Sequence, residues 1–191
     1  WEKIYKNRKQ ISIWPWSDLV SMIMQNKKRI KNFPNSRVLE LGFGSGANIN
    51  FFTNLGMNYF GFEGSKHIVS TVRKKYPKIK NKLFNKDFTK PYSFKKKFDL
   101  VVDRGSITHN NFEGIKNAIF FIEKNIKKNG LLICIDLFST KSSEFKKGQK
   151  GDEQHTKKNY KDGQFKNIGN VHFFKKRDFP QIFTGWKILF L

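Results

Sequence analysis

Short apolar runs alternate along the chain with segments whose apolar residues recur three and four positions apart. Strand-like runs cover residues 37–41, 58–63, 82–85, 98–103 and 131–137. The helical spacing predicts helices over residues 17–27, 47–55 and 66–75, and a fourth whose apolar face runs from Ile115 to Ile126. Strands that are apolar at nearly every position are typical of a parallel sheet covered on both faces. We therefore predict an α/β fold with a doubly wound, mostly parallel sheet and helices on both faces.

The chain divides into a leader and one sheet domain, and that domain contains one long polar segment. We predict that residues 1–34 form a helical leader or lid and that residues 35–191 form a single domain. Residues 138–170 are mostly polar and long for a plain connection, so we expect an active-site loop or a disordered segment. A short helix is then predicted around residues 176–183, and a closing strand over residues 186–191.

The composition is strongly basic, with 38 lysine and arginine residues against 15 acidic ones and a formal net charge of +23 at pH 7. Such a charge favours nucleic acid as a partner when the cations form a patch. Lysines occur along the whole chain, so solvated lysine faces and a preference for an anionic substrate remain open as alternatives. No apolar run approaches the roughly 20 residues of a membrane span, and we expect a cytoplasmic protein.

A glycine cluster follows the first strand of the sheet domain. Gly42, Gly44 and Gly46 lie between the strand and the next predicted helix, where glycine lets the backbone approach a ligand closely. The spacing differs from the G-x-G-x-x-G of dinucleotide-binding loops. Glu40 precedes the cluster by two residues, and an acid there suits a ligand that carries positive charge.

The segment VLELGFGSG resembles motif I of the class I S-adenosylmethionine-dependent methyltransferases, and further landmarks follow in the family's order. Glu63-Gly64-Ser65, after the second strand, resembles the acidic site that holds the ribose hydroxyls. Asp87-Phe88 resembles the site that contacts adenine. FDLVVDRG, with Asp103 at the strand end, resembles motif IV, and KKNGLLICIDLF resembles the fifth strand.

This resemblance implies a Rossmann-like sheet of seven strands, of which the chain supplies only the first arm of the closing hairpin. It also implies S-adenosylmethionine as cofactor and S-adenosylhomocysteine as product. The leader resembles those of bacterial methyltransferases in surface-sugar pathways, so we expect a small polar acceptor. The expected reaction is O-methylation of a sugar, a nucleotide-activated intermediate or a phosphorylated intermediate.

Histidine is the natural base for a hydroxyl acceptor, because its ordinary pKa lies near working pH. His109 lies just past the end of the fourth strand and is the first candidate; His155 and His172 would join it if the polar segment folds over the site. Arg104 is a further catalytic candidate. An anionic acceptor would need no base. No residues have metal-ligand spacing, so no metal is expected.

Two other functions remain open from the sequence. Net charge favours an RNA or tRNA methyltransferase, although Asp103-Arg104-Gly105-Ser106 stands where an amino-methylating motif would follow the fourth strand. A non-catalytic protein that binds S-adenosylmethionine is the other alternative.

Overall fold

The computed structural model describes residues 1–191 and contains a central sheet of five parallel strands in the order β3-β2-β1-β4-β5. The strands are β1 Arg37–Leu41, β2 Asn58–Glu63, β3 Leu83–Asn85, β4 Phe98–Arg104, β5 Ile126–Ile135, β6 Gln149–Lys150, β7 Thr156–Lys158 and β8 Val171–His172. The helices are α1 Glu2–Lys6, α2 Ser17–Gln25, α3 Ile49–Asn54, α4 Lys66–Lys75, α5 Phe112–Asn125, α6 Glu144–Lys147 and α7 Phe179–Ile182. Short 3₁₀ turns cover Lys27–Arg29, Pro77–Lys82, Ile107–His109 and Lys176–Asp178.

Two apolar layers enclose the sheet, one on each face. Val38 of β1 belongs to the layer formed with α2, α3 and α4. Leu39 and Leu41 belong to the layer formed with α5 and α7. Successive residues of a strand point to opposite faces, so the apolar run of β1 supplies both layers. The predicted α/β fold with helices on both faces is confirmed.

The strand order sets the position of the functional edge. From β1 the chain continues to β2 and β3 on one side of β1, whereas β4 and β5 lie on the other side of β1. In open α/β sheets the crevice between two such neighbouring strands, beyond their carboxyl ends, is where ligands bind. This crevice lies between Leu41 and Arg104, at the glycine cluster.

The central sheet has five strands, so the seven-stranded sheet is not observed, and residues 186–191 do not form the predicted closing strand. The Trp186 amide instead donates to the Phe183 carbonyl and the Trp186 indole to Glu123, 2.8 Å away. An apolar run indicates a tendency to be buried, but a strand also needs hydrogen-bonded neighbours. β5 begins at Ile126, earlier than expected, because residues near Gly130 form an irregularity in its pairing with β4.

Residues 138–170 are ordered, contrary to the disordered alternative. β6, β7 and β8 form a small antiparallel sheet around a separate apolar cluster that includes Tyr160, Phe165 and Phe173. The strands are two or three residues long, too short for alternation to be visible in the sequence. No helix is both long and apolar enough to cross a membrane.

Candidate functional site

The glycine cluster forms a tight loop after β1. Gly42 and Gly44 have φ angles of +65° and +51°, in the left-handed region that favours glycine. The Gly42 amide donates to the Phe62 carbonyl over 2.8 Å, and a Cβ at Gly42 would overlap the Ser106 side chain. The sequence therefore forces a turn that leaves backbone, without side chains, at the crevice.

Glu40, near the end of β1, stabilises this loop through hydrogen bonds. Its buried carboxylate accepts hydrogen bonds from Asn48 Nδ2 over 2.7 Å and from the Tyr59 hydroxyl over 2.5 Å. Burial raises the pKa of Glu40. Because Asn48 lies at the far end of the loop, the carboxylate ties both loop ends to the sheet.

Glu63 joins the loop to the start of α4. One carboxylate oxygen accepts from the Gly44 amide over 3.0 Å, and the other from the Ser65 amide over 2.9 Å. Burial raises the pKa of Glu63, and the amide hydrogen bonds oppose this shift. Each oxygen keeps a free lone pair, so Glu63 can still accept hydrogen bonds from a ligand's hydroxyl groups.

The N-terminal segment, residues 1–16, lies over this edge. The Glu2 carboxylate accepts from the Ser65 hydroxyl over 2.6 Å and from the His67 amide over 3.2 Å. Buried Tyr5 places its hydroxyl 3.0 Å from where a Cβ of Gly44 would lie. The Ser12 amide donates to Ser45 Oγ over 3.0 Å. The segment thus covers the glycine loop from Gly44 to the start of α4.

A cavity of about 160 Å³ remains between the N-terminal segment, the glycine loop and the β6–β8 unit. It brings together five of the residues predicted from the sequence: Glu40, Gly42, Gly44, Arg104 and His109. A larger groove of about 830 Å³ runs along the outer side of β5, but none of the predicted site residues line it. The small cavity is therefore the candidate site.

His109 contributes an imidazole to the cavity wall. Its Nδ1 lies 3.2 Å from the Asn170 carbonyl oxygen. A carbonyl only accepts hydrogen bonds, so Nδ1 carries the proton and Nε2, which has no partner in the chain, is the acceptor. Burial lowers the pKa of His109 to about 4, so the ring is neutral at pH 7. Trp1 packs edge-on against it, with ring centroids 5.1 Å apart.

Arg104 links the N-terminal part of the chain to the ends of β4 and β5. Its guanidinium lies 3.1 Å from Asp136 and 3.4 Å from Asp18, and it stacks 3.7 Å above the Trp16 ring. Asp136 has a φ angle of +64°, unusual for a residue with a side chain. This network of interactions fixes the orientation of Trp16 and Asp136, which both line the cavity.

Asp103 is fully buried and turned away from the cavity lining. Its Oδ1 accepts from the Ser106 hydroxyl and from the amides of Ser106 and Ile107, which caps the following 3₁₀ turn. Its Oδ2 has no partner. Burial raises the pKa of Asp103 to about 7. Asp103 therefore shapes the turn that carries His109.

The other predicted residues do not line the cavity. Asp87 accepts from the Thr89 amide and hydroxyl at an exposed turn, and Phe88 packs against the apolar layer under α5. Buried His172 bonds Thr156 Oγ1 over 2.8 Å, and His155 lies 3.8 Å from Asp178. The remaining predicted residues do not line the cavity either. Gly46 belongs to the loop, and the residues around the loop are Glu63, Gly64, Ser65 and Asp103.

Several lining residues were not predicted from the sequence. Asp136 directly follows β5, so the rule that ligands bind beyond carboxyl strand ends could have identified it. Ser45 lies within the glycine loop, between Gly44 and Gly46. Tyr5 and Phe165 reach the cavity through the packing of the N-terminal segment and the β6–β8 unit. No local sequence signal marks these last two.

The family model of the methyltransferase domain matches residues 16–186. No curated protein sequence matches the chain.

Solved structures resemble the fold at low sequence identity. An S-adenosylmethionine-dependent methyltransferase from Clostridium acetobutylicum has a TM-score of 0.63 at 17% identity, over 95% of this chain and 82% of that chain. DesVI from Streptomyces venezuelae has a TM-score of 0.63 at 17% identity, over 88% of this chain and 80% of its own. The glycopeptide N-methyltransferase MtfA has a TM-score of 0.51 at 20% identity, over 64% of this chain. The match spans only 56% of MtfA's length.

Proposed function

The chain belongs to the methyltransferase domain family, and from this premise we propose that it transfers a methyl group from S-adenosylmethionine to a small polar acceptor. The proposed reaction is O-methylation of a sugar, a nucleotide-activated compound or a phosphorylated compound. The observation that supports a small acceptor is the enclosure of the crevice. The N-terminal segment and the β6–β8 unit leave a cavity of only about 160 Å³ between them.

The residues at the edge of β1 and β2 fit the cofactor in chemical terms. The loop at Gly42 and Gly44 offers backbone without side chains, and Glu63 has free lone pairs for ribose hydroxyls. Asp87 would contact the adenine group. Binding pockets for molecules of this size typically measure about 300–1,000 Å³, so the cavity must enlarge. The N-terminal segment, which packs directly on the loop, is the part that we propose to move as a lid.

S-adenosylmethionine supplies an electrophilic methyl group on its sulfonium. His109 accepts the proton of the acceptor hydroxyl at Nε2, while the Asn170 carbonyl holds the ring in the required tautomer. Arg104 and Asp136 orient the acceptor's polar groups, and Trp16 and Phe165 exclude water. Most of the rate comes from alignment, which is worth roughly 7–11 kcal/mol in well-oriented reactions. His155 and His172 have no part in this mechanism.

Calorimetric titration with S-adenosylmethionine and S-adenosylhomocysteine tests the cofactor assignment. We expect micromolar binding by the wild type and loss of at least tenfold in affinity for Glu63→Ala, since each lost hydrogen bond to a charged group costs roughly 1.5–3 kcal/mol. Glu113→Ala, at an exposed position on α5, is the matched control and should bind normally. A folded wild type that binds neither compound would contradict the proposal.

A second experiment separates the base from the cofactor site. His109→Gln should keep cofactor affinity but lose turnover of a hydroxyl acceptor. We expect the loss to be at most about 10²–10⁴-fold, the contribution of a base matched to working pH, because burial lowers the pKa of His109 to about 4. Unchanged turnover would mean that the acceptor needs no base. Cofactor binding without turnover of any acceptor would favour a non-catalytic binding protein.

A further inference from the structure

The amino ends of the five parallel strands form an edge opposite the cofactor crevice, which we call the amino edge. Four segments at or before the starts of strands lie on this edge: residues 27–31 (KKRIK), 73–82 (RKKYPKIKNK), 95–97 (KKK) and 124–128 (KNIKK). None of them contains an acidic residue. Most of their cationic side chains are exposed, including Lys28, Lys78 and Lys96.

Specific interactions link two of these segments, 95–97 and 124–128, to the start of β1. The Arg37 guanidinium donates to the Lys96 carbonyl over 3.2 Å. Buried Asp99 accepts from the Arg37 amide over 2.9 Å and pairs with Lys127 over 2.7 Å. Asn32 also donates to Asp99, over 3.2 Å. The backbone of residues 95–97 and the Lys127 side chain are therefore held beside the start of β1.

Three of the four segments border a groove. Arg29, Lys97, Lys127 and Lys128 all line the cavity of about 830 Å³ beside β5. Glu123 is the groove's only acidic lining residue, and it already accepts a hydrogen bond from the Trp186 indole.

The distribution of acidic residues distinguishes this edge from the rest of the protein. Asp99 and Glu123 are the acids within two residues of the four basic segments, and Asp99 is buried. Elsewhere acids accompany the lysines, as in the Lys147–Glu144 and Lys158–Asp152 pairs. A general lysine richness would raise the number of cations everywhere, but it would not remove acids from one edge alone.

We propose that the amino edge is a docking surface for nucleic acid, held through its phosphate backbone. The charge complements a polyanion, and binding of lysines to phosphates gains free energy from released counterions. Stable binding to a membrane surface also needs buried apolar groups. Exposed apolar residues near the edge, 188–191, lie along the groove beside β5, and the four basic segments themselves carry none. Strand β4 separates the two edges by roughly 20 Å, so the bound polymer lies away from the crevice. This proposal is independent of the cofactor site.

Fluorescence anisotropy with a labelled oligouridylate and a DNA duplex tests the proposal on the full chain. The variant Lys95→Gln/Lys96→Gln/Lys97→Gln removes three charges from the amino edge. The control Lys141→Gln/Lys161→Gln/Lys166→Gln removes three exposed charges from the β6–β8 region. Lys78→Gln/Lys80→Gln provides a second variant on the edge, in case the first one folds poorly.

We expect both edge variants to weaken binding, the triple variant by at least roughly tenfold. The slope of log affinity against log salt should become shallower by about 0.7–0.9 for each lysine–phosphate interaction that the substitutions remove. The control should change affinity less than about twofold. Equal weakening in control and edge variants would overturn the proposal, because overall charge would then explain binding. Absence of oligonucleotide binding would also overturn it, whether or not phosphatidylserine vesicles bind.

Discussion

Gly42 shows how a single missing side chain shapes the site. Its φ of +65° costs a residue with a side chain roughly 1–3 kcal/mol, and an added Cβ would overlap Ser106. We expect Gly42→Ala to lower the free energy of unfolding in urea by at least that amount. The control Gly169→Ala, where nothing lies within 4 Å and φ is not positive, should stay within about 0.5 kcal/mol of the wild type.

The double variant Gly42→Ala/Ser106→Gly separates the two causes of the Gly42 effect. Ser106→Gly alone is the reference, because it also loses the hydroxyl's hydrogen bonds to Asp103 and to the Leu41 carbonyl. Relative to that reference the overlap is relieved and the backbone strain stays, so Gly42→Ala should cost less than it does in the wild type. An equal cost in both backgrounds would mean that φ alone accounts for the loss.

Burial of His172 predicts a pH-dependent contribution to stability. Burial lowers its pKa in the folded protein to about 4 from an ordinary 6.5; His155 adds to this shift, whereas Glu153 and Asp178 oppose it. Above pH 6.5 both states are neutral. As pH falls from 6.5 to about 4 only the unfolded state takes up the proton, so stability is lost, by at most about 1.4 kcal/mol per pH unit.

The variant His172→Asn isolates this effect and keeps a polar atom near Thr156. We expect the stability difference between wild type and variant, measured by urea unfolding, to shrink as pH falls from 7 to 4. The wild type must be compared with the variant because Asp103 has a pH effect of opposite sign to that of His172. The raised pKa of Asp103 makes the stability of the fold decrease as pH rises. The control is His67→Asn, at an exposed position. A difference that does not change with pH would contradict the assignment.

Local sequence pattern identified the site residues on strand ends and missed those brought by packing. The glycine spacing with Glu40, and the position of His109 after β4, sufficed to place these residues at the crevice. His155 and His172 were expected at the site if residues 138–170 folded over it. Residues 138–170 do reach the cavity, but through Phe165 and Ile168. His155 lies near Asp178 instead, and His172, just past this range, bonds Thr156.

At the scale of whole elements, β1 to β5 and the helices between them followed from hydrophobic periodicity, because long parallel strands must be apolar on both faces. The same logic failed after β5. Residues 186–191 form a nearly continuous apolar run like that of a buried strand, yet their backbone forms no ladder with β5. β6 to β8 are stabilised by Tyr160, Phe165 and Phe173, whose spacing follows no regular period.

The N-terminal segment is the element that we propose to move when the cofactor enters. The Glu2 carboxylate holds α1 on Ser65 and His67 at the start of α4. We expect Glu2→Ala to raise the association rate constant of S-adenosylmethionine by roughly threefold or more, because the variant loses both hydrogen bonds that hold α1 on α4. Stopped-flow tryptophan fluorescence can follow this step, since Trp1 and Trp16 line the cavity.

Glu113→Ala, on the distant start of α5, is the control for the rate measurement. An association rate that Glu2→Ala leaves unchanged or lowers would mean that the cofactor enters without displacing α1.

For the molecule as a whole, the net charge of +23 produces self-repulsion that is concentrated at the amino edge, because acids there are few. Removing like charges from that edge should therefore stabilise the fold more than removing them where acids are interspersed. At low ionic strength we expect Lys95→Gln/Lys96→Gln/Lys97→Gln to raise Tm by roughly 2–4 °C, equivalent to about 1 kcal/mol. The triple Lys141→Gln/Lys161→Gln/Lys166→Gln should raise Tm less. In 1 M salt, where charges interact over only about 3 Å, calorimetry should find the two variants alike. Equal Tm shifts at low salt would mean that the positive charge acts evenly over the surface, and that the amino edge is no more basic in its electrostatic effect than the rest of the protein.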